Sequence, residues 1–412
     1  MDVLVVTSMY PPHSYGGYEA SCQDVVARWR ARGHRAVVLT TRTRVDGVVD
    51  GAEPDVRRLL PFYWQDHRLP QRSLRQCLAL ERESRAVLRA ALDEVRPDVV
   101  SAWSMGAMSL GLLNEVADRG LPLVLVVCDD WLVYGERADL WRRRVSSSRL
   151  ARRAGRALTG LPTDWPTGAR SVRAVFVSEA VREAARARGR WVPQSTSVIG
   201  SGISERDFPV RPALPDRPWT WRLLLVGRID PRKGIDVALR ALARLPSGAR
   251  LDVVGRGDAT HRAELERLSR DLGVADRVTF GHRDRSELAA AYGAADCLLF
   301  PPVWTEPFGL VPLEAMACGT PVVTTGTGGQ AALLTHEHDC LVVPPGDDAA
   351  LAAAVERLAA DPVLRRRIAE AGLRTAARHG VDRYAERLLA EHLAAVRAAG
   401  LAAGQDAGRD TG

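Results

Sequence analysis

The stretch Pro301–Val323, PPVWTEPFGLVPLEAMACGTPVV, decides how the second half of the chain folds. The apolar run Cys297–Phe300 comes directly before it and predicts a buried strand. After a loop, we interpret Pro312 as the first residue of a short apolar helix, which Gly319 and then Pro321 end. The pattern therefore predicts a strand, a loop and a helix in direct succession.

Two carboxylates, Glu306 and Glu314, flank the N-terminus of this predicted helix, with Gly309 between them. A helix N-terminus offers backbone N–H groups and a partial positive charge, which suit an anionic ligand. An ionised carboxylate only accepts hydrogen bonds, so beside such a site it would serve hydroxyl groups. Donors for phosphate and acceptors for hydroxyls in one place indicate a site for a sugar nucleotide.

The two glutamates have seven residues between them and lie within EPFGLVPLEAMACGTPVV. This motif resembles the paired-glutamate motif of the retaining glycosyltransferases of family four, which have the GT-B fold. The resemblance is firm over residues 223–385 and looser over residues 1–208. It implies two Rossmann-like α/β domains whose parallel sheets face an interdomain cleft. It also implies transfer of a sugar from a nucleoside diphosphate sugar to a hydroxyl acceptor with retention of anomeric configuration. A UDP-sugar is the favoured donor, and a GDP-sugar is the alternative.

A chain of 412 residues fits two α/β domains better than one core. The segment FPVRPALPDRP, residues 208–218, contains four prolines and is predicted to link them. We predict an N-terminal acceptor-binding domain over residues 1–210 and a C-terminal nucleotide-sugar-binding domain over residues 219–380. The resemblance implies that a helix over residues 381–399 crosses back to the first domain. Residues 400–412 are predicted to be a disordered tail.

The composition, 46% hydrophobic and 26% charged, is typical of a globular protein, and no apolar run is long enough to span a membrane. The N-terminus lacks the basic region of a signal peptide and reads as a first strand. Six scattered cysteines predict reduced core thiols and a cytoplasmic enzyme. His336 and His338 have no third ligand nearby in sequence, so we expect neither a metal site nor a cofactor.

The net charge of +7 comes from an unusual set of basic residues: of 57, only Lys233 is a lysine. Such a bias indicates genome composition rather than nucleic-acid binding, so no nucleic-acid partner is expected. Where arginine is the default cation, one lysine suggests a site that needs a compact point charge. The most basic stretch, residues 140–161, is predicted to be a helix with six apolar residues near one face. It fits an anionic membrane surface, an anionic acceptor or simply a solvated helix.

The resemblance implies a specific set of donor-binding residues. In the turn GRIDPRKG, residues 227–234, Arg228 and Lys233 match the pair that binds the diphosphate. Glu306 would accept from sugar hydroxyls and Glu314 from the ribose diol, and Gly326–Gly329 would be a further loop on the cleft side. The complete predicted set is Gly16, Gly17, Arg228, Lys233, Gly255, Arg283, Glu306, Phe308, Gly309, Leu310 and Glu314.

The acceptor side departs from the family pattern. Relatives usually have His-Asp where this chain has Cys128 and Asp129, and His-x-His where it has Ser101-Ala102-Trp103. Cys128 follows an apolar run, so burial would raise its pKa and make it a poor base. We predict Asp129 as a catalytic residue together with Glu306, Arg228 and Lys233. The neighbouring Asp130 is the second candidate, and the competing interpretation is that both aspartates only cap the next helix.

Two other functions fit parts of this pattern. The missing histidine would suit a sugar-nucleotide-binding protein with weakened catalysis. A phosphorylase or sugar-nucleotide epimerase of the same fold is the other alternative, although the turn at residues 227–234 followed by the paired glutamates favours the transferase.

Overall fold

A computed structural model describes residues 1–14, 16–45, 47–49, 51, 53–64, 69–145, 148–167, 172–211 and 217–409, with side chains up to Leu401. The chain forms two compact units. The first unit contains residues 1–14, 18–199 and 384–412, and the second contains residues 15–17 and 200–383. The central part of the predicted linker, residues 212–216, lies outside the described residues.

The first unit is built on a seven-stranded parallel sheet. Its strands are β1 (Asp2–Thr7), β2 (Arg35–Thr41), β3 (Val56–Leu60), β4 (Val99–Ala102), β5 (Leu123–Val127), β6 (Val172–Phe176) and β7 (Ser195–Val198), in the order β3-β2-β1-β4-β5-β6-β7. Its helices are α1 (Gly17–Ala31), α2 (Leu74–Val95), α3 (Gly111–Asp118), α4 (Trp131–Ala138), α5 (Arg142–Val145), α6 (Arg149–Thr159) and α7 (Glu179–Arg188). Strand β5, LVLVV, is buried along its whole length, as expected for a parallel strand covered on both faces.

The second unit is built on a six-stranded parallel sheet. Its strands are β8 (Arg222–Val226), β9 (Arg250–Val254), β10 (Val278–Gly281), β11 (Cys297–Phe300), β12 (Val322–Thr324) and β13 (Leu341–Val342), in the order β10-β9-β8-β11-β12-β13. Its helices are α8 (Ile235–Arg244), α9 (Ala259–Asp271), α10 (Arg285–Ala294), α11 (Leu310–Ala317), α12 (Asp348–Ala360) and α13 (Pro362–Ala377). The final helix, α14 (Val381–Arg409), follows.

Helix α14 belongs to the first unit from Tyr384 onward. The indole N–H of Trp29 donates to the Ala385 carbonyl at 3.0 Å, and its ring lies 4.8 Å from the imidazole of His392. Farther along the helix, Glu391 accepts from Arg173 of β6 at 2.9 Å. The last helix is therefore part of the core of the first unit.

Both sheets have a switch point, where the order of the strands reverses. In the first unit it lies between β1 and β4, and in the second between β8 and β11. The connections from neighbouring strands leave in opposite directions there and open a crevice at the carboxyl ends of the strands. Open parallel sheets bind their ligands in this crevice.

The helix predicted from Pro312 begins two residues earlier, at Leu310. Gly309 precedes it with φ of +119°, a conformation that glycine adopts without strain. Pro312 occupies the third helical position, where its missing N–H removes no intrahelical bond. The predicted end is confirmed: Gly319 has φ of +75°, and the next N–H, of Thr320, donates back to the Ala315 carbonyl at 2.9 Å.

The prediction of one helix over residues 140–161 is wrong. The segment forms the short α5 and then α6, and Ser148 starts α6 by accepting from the Ala151 N–H at 3.0 Å. Leu150 and Leu158 are 77% and 85% exposed, whereas Leu161 is buried, so the apolar residues do not share a face. Residues 146 and 147 lie outside the described part of the chain.

At the C-terminal end, helix α14 continues to Arg409, into the segment predicted to be a disordered tail. Residues 410–412 lie outside the described residues. Within the part of the chain that the structure describes, no helix combines the length and apolarity needed to cross a bilayer.

Candidate functional site

The site in the second unit begins at the turn after β8. Residues Pro231–Lys233 form a 3₁₀ turn, and Gly234 ends it with φ of +64°. A Cβ atom at Gly234 would lie 2.0 Å from the Pro301 carbonyl oxygen, so this position admits only glycine. The turn therefore packs directly on the loop that follows the neighbouring strand β11.

This packing brings Lys233 to Glu306. The Lys233 ammonium donates to Glu306 Oε2 at 2.8 Å, and the indole N–H of Trp304 donates to the same oxygen at 3.0 Å. Both charged side chains are largely buried, at 14% and 11% exposed. The ammonium also lies 5.4 Å from the centroid of the Phe300 ring. A cation and a carboxylate are thus held together at the switch point of the second sheet.

The loop Gly326–Gly329 fixes the backbone of Glu306. The N–H of Gly329 donates to the Glu306 carbonyl at 2.8 Å. A Cβ atom at Gly328, where φ is +63°, would lie 2.3 Å from the same carbonyl oxygen. The predicted glycine loop therefore supports Glu306 from behind by close backbone approach.

Helix α11 presents the second glutamate. Glu314 lies in the second turn of the helix and accepts from the Tyr292 hydroxyl at 2.7 Å. Burial, reinforced by the charge of Glu314, raises the pKa of Tyr292 well above its usual range, so the tyrosine remains a donor. Leu310 begins α11. Phe308 is buried, and a Cβ atom at Gly200 would lie 2.9 Å from its ring.

The three cations of the turn have different surroundings. Arg232 donates through two nitrogens to Asp230 and lies over the Trp304 ring, 4.5 Å from its centroid. Its hydrogen bonds hold the pKa of Asp230 well below the usual range. Lys233 is paired with Glu306. Arg228 is partly buried, and its positive charge also contributes to the lowered pKa of Asp230.

The remaining predicted donor-site residues are more scattered. Gly255 follows β9, and a Cβ there would lie 1.8 Å from the Gly227 carbonyl oxygen, which gives this glycine a packing role. Arg283 is exposed after β10. Gly16 and Gly17 are exposed at the start of α1, in keeping with an accessible helix N-terminus. Of these four, Gly17 lies beside the start of α11, because a Cβ atom there would be 3.2 Å from the Cδ1 atom of Leu310.

On the acceptor side, Cys128 directly follows β5. Its backbone N–H donates to the Tyr18 hydroxyl at 3.4 Å, and its sulfur lies 3.9 Å from the Tyr384 hydroxyl. Burial raises the pKa of the Cys128 thiol to about 12, which keeps it protonated. The other five cysteines are buried and free, as predicted.

Asp129 is engaged with α4. Its carboxylate accepts from the Trp131 N–H at 3.1 Å and from the Tyr134 hydroxyl at 2.9 Å. Asp130 immediately precedes the helix but does not cap it through its side chain, and accepts instead from Arg188 at 3.1 Å. Helix capping therefore accounts for one of the two carboxylates.

A buried ionisable cluster lies in the same unit. Glu81 is fully buried, and neither of its carboxylate oxygens has a hydrogen-bond partner within the described residues. Burial and the nearby charge of Asp139 raise the pKa of Glu81 to about 8. Asp139 accepts from the N–H groups of Leu110, Trp141 and Arg142 at 2.8–2.9 Å, which fixes the start of α5.

Sequence reasoning missed three residues that shape the donor site. Trp304 lies within Pro301–Val323, and its position two residues before Glu306 could have indicated that its indole lies near that carboxylate. Tyr292 comes from a different helix and gave no local signal. Gln330 is fully buried and accepts from Thr324 at 2.5 Å, and its amide nitrogen has no partner among the described residues. In the part of the chain described, no group of three or more His, Cys, Asp or Glu side chains is arranged to hold a metal ion.

Comparisons with known proteins agree with this architecture. The model for glycosyl transferases group 1 matches residues 212–375, and that for the glycosyl transferase 4-like domain matches residues 16–164. An uncharacterized glycosyltransferase of Methanocaldococcus jannaschii is 26% identical over 88% of this chain and 90% of the relative. The D-inositol 3-phosphate glycosyltransferase of Mycobacteroides abscessus is 45% identical over 29% of this chain, and the match spans 27% of that relative.

Among solved structures, Anabaena HepE in complex with UDP-glucose is similar, with a TM-score of 0.66 and 22% identity. The similarity covers 95% of this chain and 99% of that chain. Two parallel-sheet α/β units together with this likeness confirm the predicted GT-B fold. Because the two family models match ranges in both units, the chain belongs to the group 1 glycosyl transferases.

Proposed function

We propose that the protein transfers a glycosyl group from a nucleoside diphosphate sugar to a hydroxyl acceptor, with retention of configuration and without a metal ion. The observation that carries this proposal is the 2.8 Å pair of Lys233 and Glu306 at the switch point of the second sheet. An ammonium suits a phosphate and a carboxylate suits a sugar hydroxyl, so the pair brings together groups for both parts of the donor.

The donor-binding roles follow from this pair. Arg228 and Lys233 would bind the diphosphate, and the N–H groups at the start of α11 would add further donors. When phosphate takes over Lys233, the carboxylate of Glu306 is released toward the hydroxyls of the transferred sugar. Glu314 would accept from the ribose diol while keeping its bond from Tyr292, because a carboxylate accepts several hydrogen bonds at once. A UDP-sugar is the favoured donor, and the UDP-glucose complex of Anabaena HepE supports that choice.

In the proposed reaction the bond from the anomeric carbon to the phosphate oxygen breaks, and a bond to the acceptor oxygen forms on the same face. The departing diphosphate takes the proton of the acceptor hydroxyl. Arg228 and Lys233 stabilise the negative charge that develops on the leaving group, so that no metal ion is required. Asp129 would help by orienting the acceptor hydroxyl.

The test is a donor screen followed by product analysis. UDP-glucose and GDP-mannose would be compared by thermal stabilisation, since a ligand at about 100 times its dissociation constant adds about 2.7 kcal/mol of stability. Turnover would then be followed in EDTA, and the anomeric configuration of the product read by proton NMR. Inverted product, or activity lost in EDTA and restored by Mg²⁺, would contradict the corresponding part of the proposal. Stabilisation by neither donor would contradict the choice of donor.

We also propose that α6 contacts an anionic membrane surface. Leu150 and Leu158 are 77% and 85% exposed, and Arg149, Arg153 and Arg156 are exposed on the same short helix. Exposed leucines beside arginines suit the interface of an anionic bilayer. Flotation with phosphatidylglycerol vesicles should decrease in a Leu150→Ser/Leu158→Ser variant. Equal flotation of the two proteins would exclude this contact.

A further inference from the structure

Trp304 contacts both members of the pair formed by Lys233 and Glu306. Its indole N–H donates to Glu306 Oε2 at 3.0 Å, and this is the oxygen that accepts from Lys233 at 2.8 Å. Oε1 accepts from neither of them. The Lys233 ammonium also lies 5.7 Å from the centroid of the indole ring. Because both hydrogen bonds end on one carboxylate oxygen, the indole stays bonded to Glu306 if the ammonium moves away.

The two groups that donate to Glu306 differ in charge. An ammonium is drawn to a diphosphate and forms charge-assisted hydrogen bonds with it, whereas an indole N–H is neutral. A bound diphosphate would therefore take Lys233 and leave the indole in place. Without the indole, the Glu306 side chain, which is only 11% exposed, would then have no hydrogen-bond donor among the described residues. Such a charge is costly to leave unbonded, so the bond from Trp304 is the one that persists.

The indole ring is also held by Arg232. The guanidinium lies over the ring, 4.5 Å from its centroid, and donates through two nitrogens to Asp230 at 2.9 and 2.6 Å. The Arg232 carbonyl in turn accepts from the Val303 N–H at 2.9 Å. A cation over the face of an indole is attracted to it, so these contacts fix the plane of the ring.

The backbone on either side of the indole is fixed as well. The carbonyls of residues 302, 304 and 306 each accept one hydrogen bond from the segment that follows β12. In that order, the donating groups are the Thr325 hydroxyl at 2.8 Å, the Thr327 hydroxyl at 2.7 Å and the Gly329 N–H at 2.8 Å. The ring of Trp304 and the carboxylate of Glu306 are therefore carried by one ordered loop, as a precise site requires.

We propose that Trp304 is a positioning residue for Glu306. Its N–H holds Oε2 while Lys233 turns to the diphosphate, so that Oε1 is presented in a fixed direction to a hydroxyl of the transferred sugar. The inference rests on the proposed glycosyltransferase function and adds a residue that acts through Glu306 rather than on the ligand. Trp304 should therefore matter for transfer of the sugar and not for binding of the nucleotide.

The test uses the full chain and a Trp304→Phe variant, which removes the N–H but keeps an aromatic ring for Arg232. The matched control is Trp219→Phe in the same unit. The ring of Trp219 also carries a guanidinium, that of Arg365, 5.3 Å from its centroid, but its indole nitrogen has no hydrogen-bond partner among the described residues. Both variants thus lose an indole N–H beside an arginine, and only one of them loses a bond to a carboxylate.

The first measurement follows the indole N–H directly. With ¹⁵N-labelled tryptophan the chain gives ten indole signals, and the one absent from Trp304→Phe belongs to Trp304. Glu306→Ala, which removes the accepting oxygen, should move this signal upfield. Saturation with UDP or GDP, whichever binds, should leave the signal downfield in the wild-type protein. Movement under the nucleotide to the position seen in Glu306→Ala would overturn the proposal.

The second measurement separates transfer from nucleotide binding. Release of UDP from UDP-glucose should be roughly tenfold slower in Trp304→Phe, because a hydrogen bond to a charged group is lost, while the calorimetric affinity for UDP is unchanged. Trp219→Phe should match the wild-type protein in both. A full rate in Trp304→Phe, or equal losses of rate and UDP affinity, would show that the indole does not act through Glu306. Binding of neither UDP nor GDP by the wild-type protein would instead contradict the proposed function and this inference with it, so the two failures are distinguishable.

Discussion

The two units have the same sheet topology at their switch points but different chemistry there. In the second unit, the loops after β8 and β11 bring Lys233 and Glu306 into a paired, mostly buried contact. In the first unit, β5 ends in a protonated thiol, Cys128, and the carboxylate of Asp129 is bound to α4. A buried ionisable group of the first unit is Glu81, whose pKa burial raises to about 8.

In both units the sheet topology supplies a crevice, whereas the loops supply the chemical groups that line it. Under the proposed function, the second unit would bind the anionic leaving group through Lys233, which its loops bring beside Glu306. The first unit lacks the family histidine at the end of β5, so we expect it to bind and orient the acceptor more than to activate it.

The largest effect is expected for Lys233→Ala. The change removes a cation from the diphosphate and leaves the buried Glu306 without its ion-pair partner. Loss of a charge-assisted contact costs roughly 1.5–3 kcal/mol, so UDP affinity should fall about 10- to 100-fold. Turnover should fall further, since the leaving group also loses its stabilisation. Calorimetry and initial rates would measure both.

The control for Lys233 is Arg240→Ala, which removes an exposed cation from α8 in the same unit. It should leave UDP affinity and rate unchanged. Unchanged UDP affinity in Lys233→Ala would show that the lysine does not contact the diphosphate, and would remove the main difference between the two units.

The next largest effect tests the first unit. Asp129→Asn keeps an oxygen that can accept from the Trp131 N–H but removes the charge. If the carboxylate acts on the acceptor, turnover should fall roughly 100-fold with the melting temperature preserved. Cys128→Ala should have little effect, because its thiol stays protonated. Rate assays and thermal melts would separate activity from stability.

Tyr134→Phe is the matched comparison for Asp129, because it removes the other hydrogen bond to the same carboxylate. A purely structural Asp129 would give similar rates in both variants. Should Asp130→Asn or Cys128→Ala abolish turnover while Asp129→Asn stays active, the assignment on the acceptor side is wrong.

A smaller effect, on UDP affinity, is expected to distinguish the roles of the two glutamates of the second unit. Glu314→Gln should weaken UDP about tenfold, since the ribose diol loses a charged acceptor. Glu306→Gln should leave UDP affinity unchanged or raise it, because Lys233 no longer has a competing carboxylate, while turnover falls. Equal losses of UDP affinity in the two variants would contradict this division of roles.

The smallest effect on activity is expected for the buried carboxylate of Glu81, which instead makes stability depend on pH. The pKa of Glu81, raised to about 8 in the folded protein, exceeds its ordinary value of 4.5. The folded state therefore retains a proton that the unfolded chain has lost, and stability decreases as the pH rises from about 4.5 toward 8. The slope is at most about 1.4 kcal/mol per pH unit. Urea unfolding of Glu81→Gln should show a flatter profile, and an unchanged profile would mean that Glu81 does not titrate there.

The sequence predicted the fold well because its signals are local. The buried run LVLVV defines β5 at its observed bounds, and Gly319 ends α11 where expected. The predicted start of α11, at Pro312, was two residues late because proline is allowed at any position of the first helical turn. The positive φ of Gly309, which marks the true start, cannot be predicted from the neighbouring residues. In the stretch of residues 140–161, the apolar spacing concealed two helix starts, because Asp139 begins α5 and Ser148 begins α6.

The sequence identified residues of the candidate site but not the contacts between them. Lys233 and Glu306 were assigned to different parts of the ligand, and only the adjacency of β8 and β11 shows that they pair. Tyr292 comes from α10, so its bond to Glu314 depends on packing between distant segments. Long-range contacts of this kind leave no spacing pattern in a single sequence.

Helix α14 determines the order in which the two units can finish folding during synthesis on the ribosome. Trp29 is made early, but the carbonyl that accepts its indole N–H belongs to Ala385, near the end of the chain. At about 5–20 residues per second, synthesis of the intervening second unit takes roughly 10–40 s. During that interval the nascent first unit exposes the apolar surface that α14 will cover, and it is the natural target of a chaperone. The second unit, nearly continuous in sequence, can therefore finish folding before the unit that begins the chain.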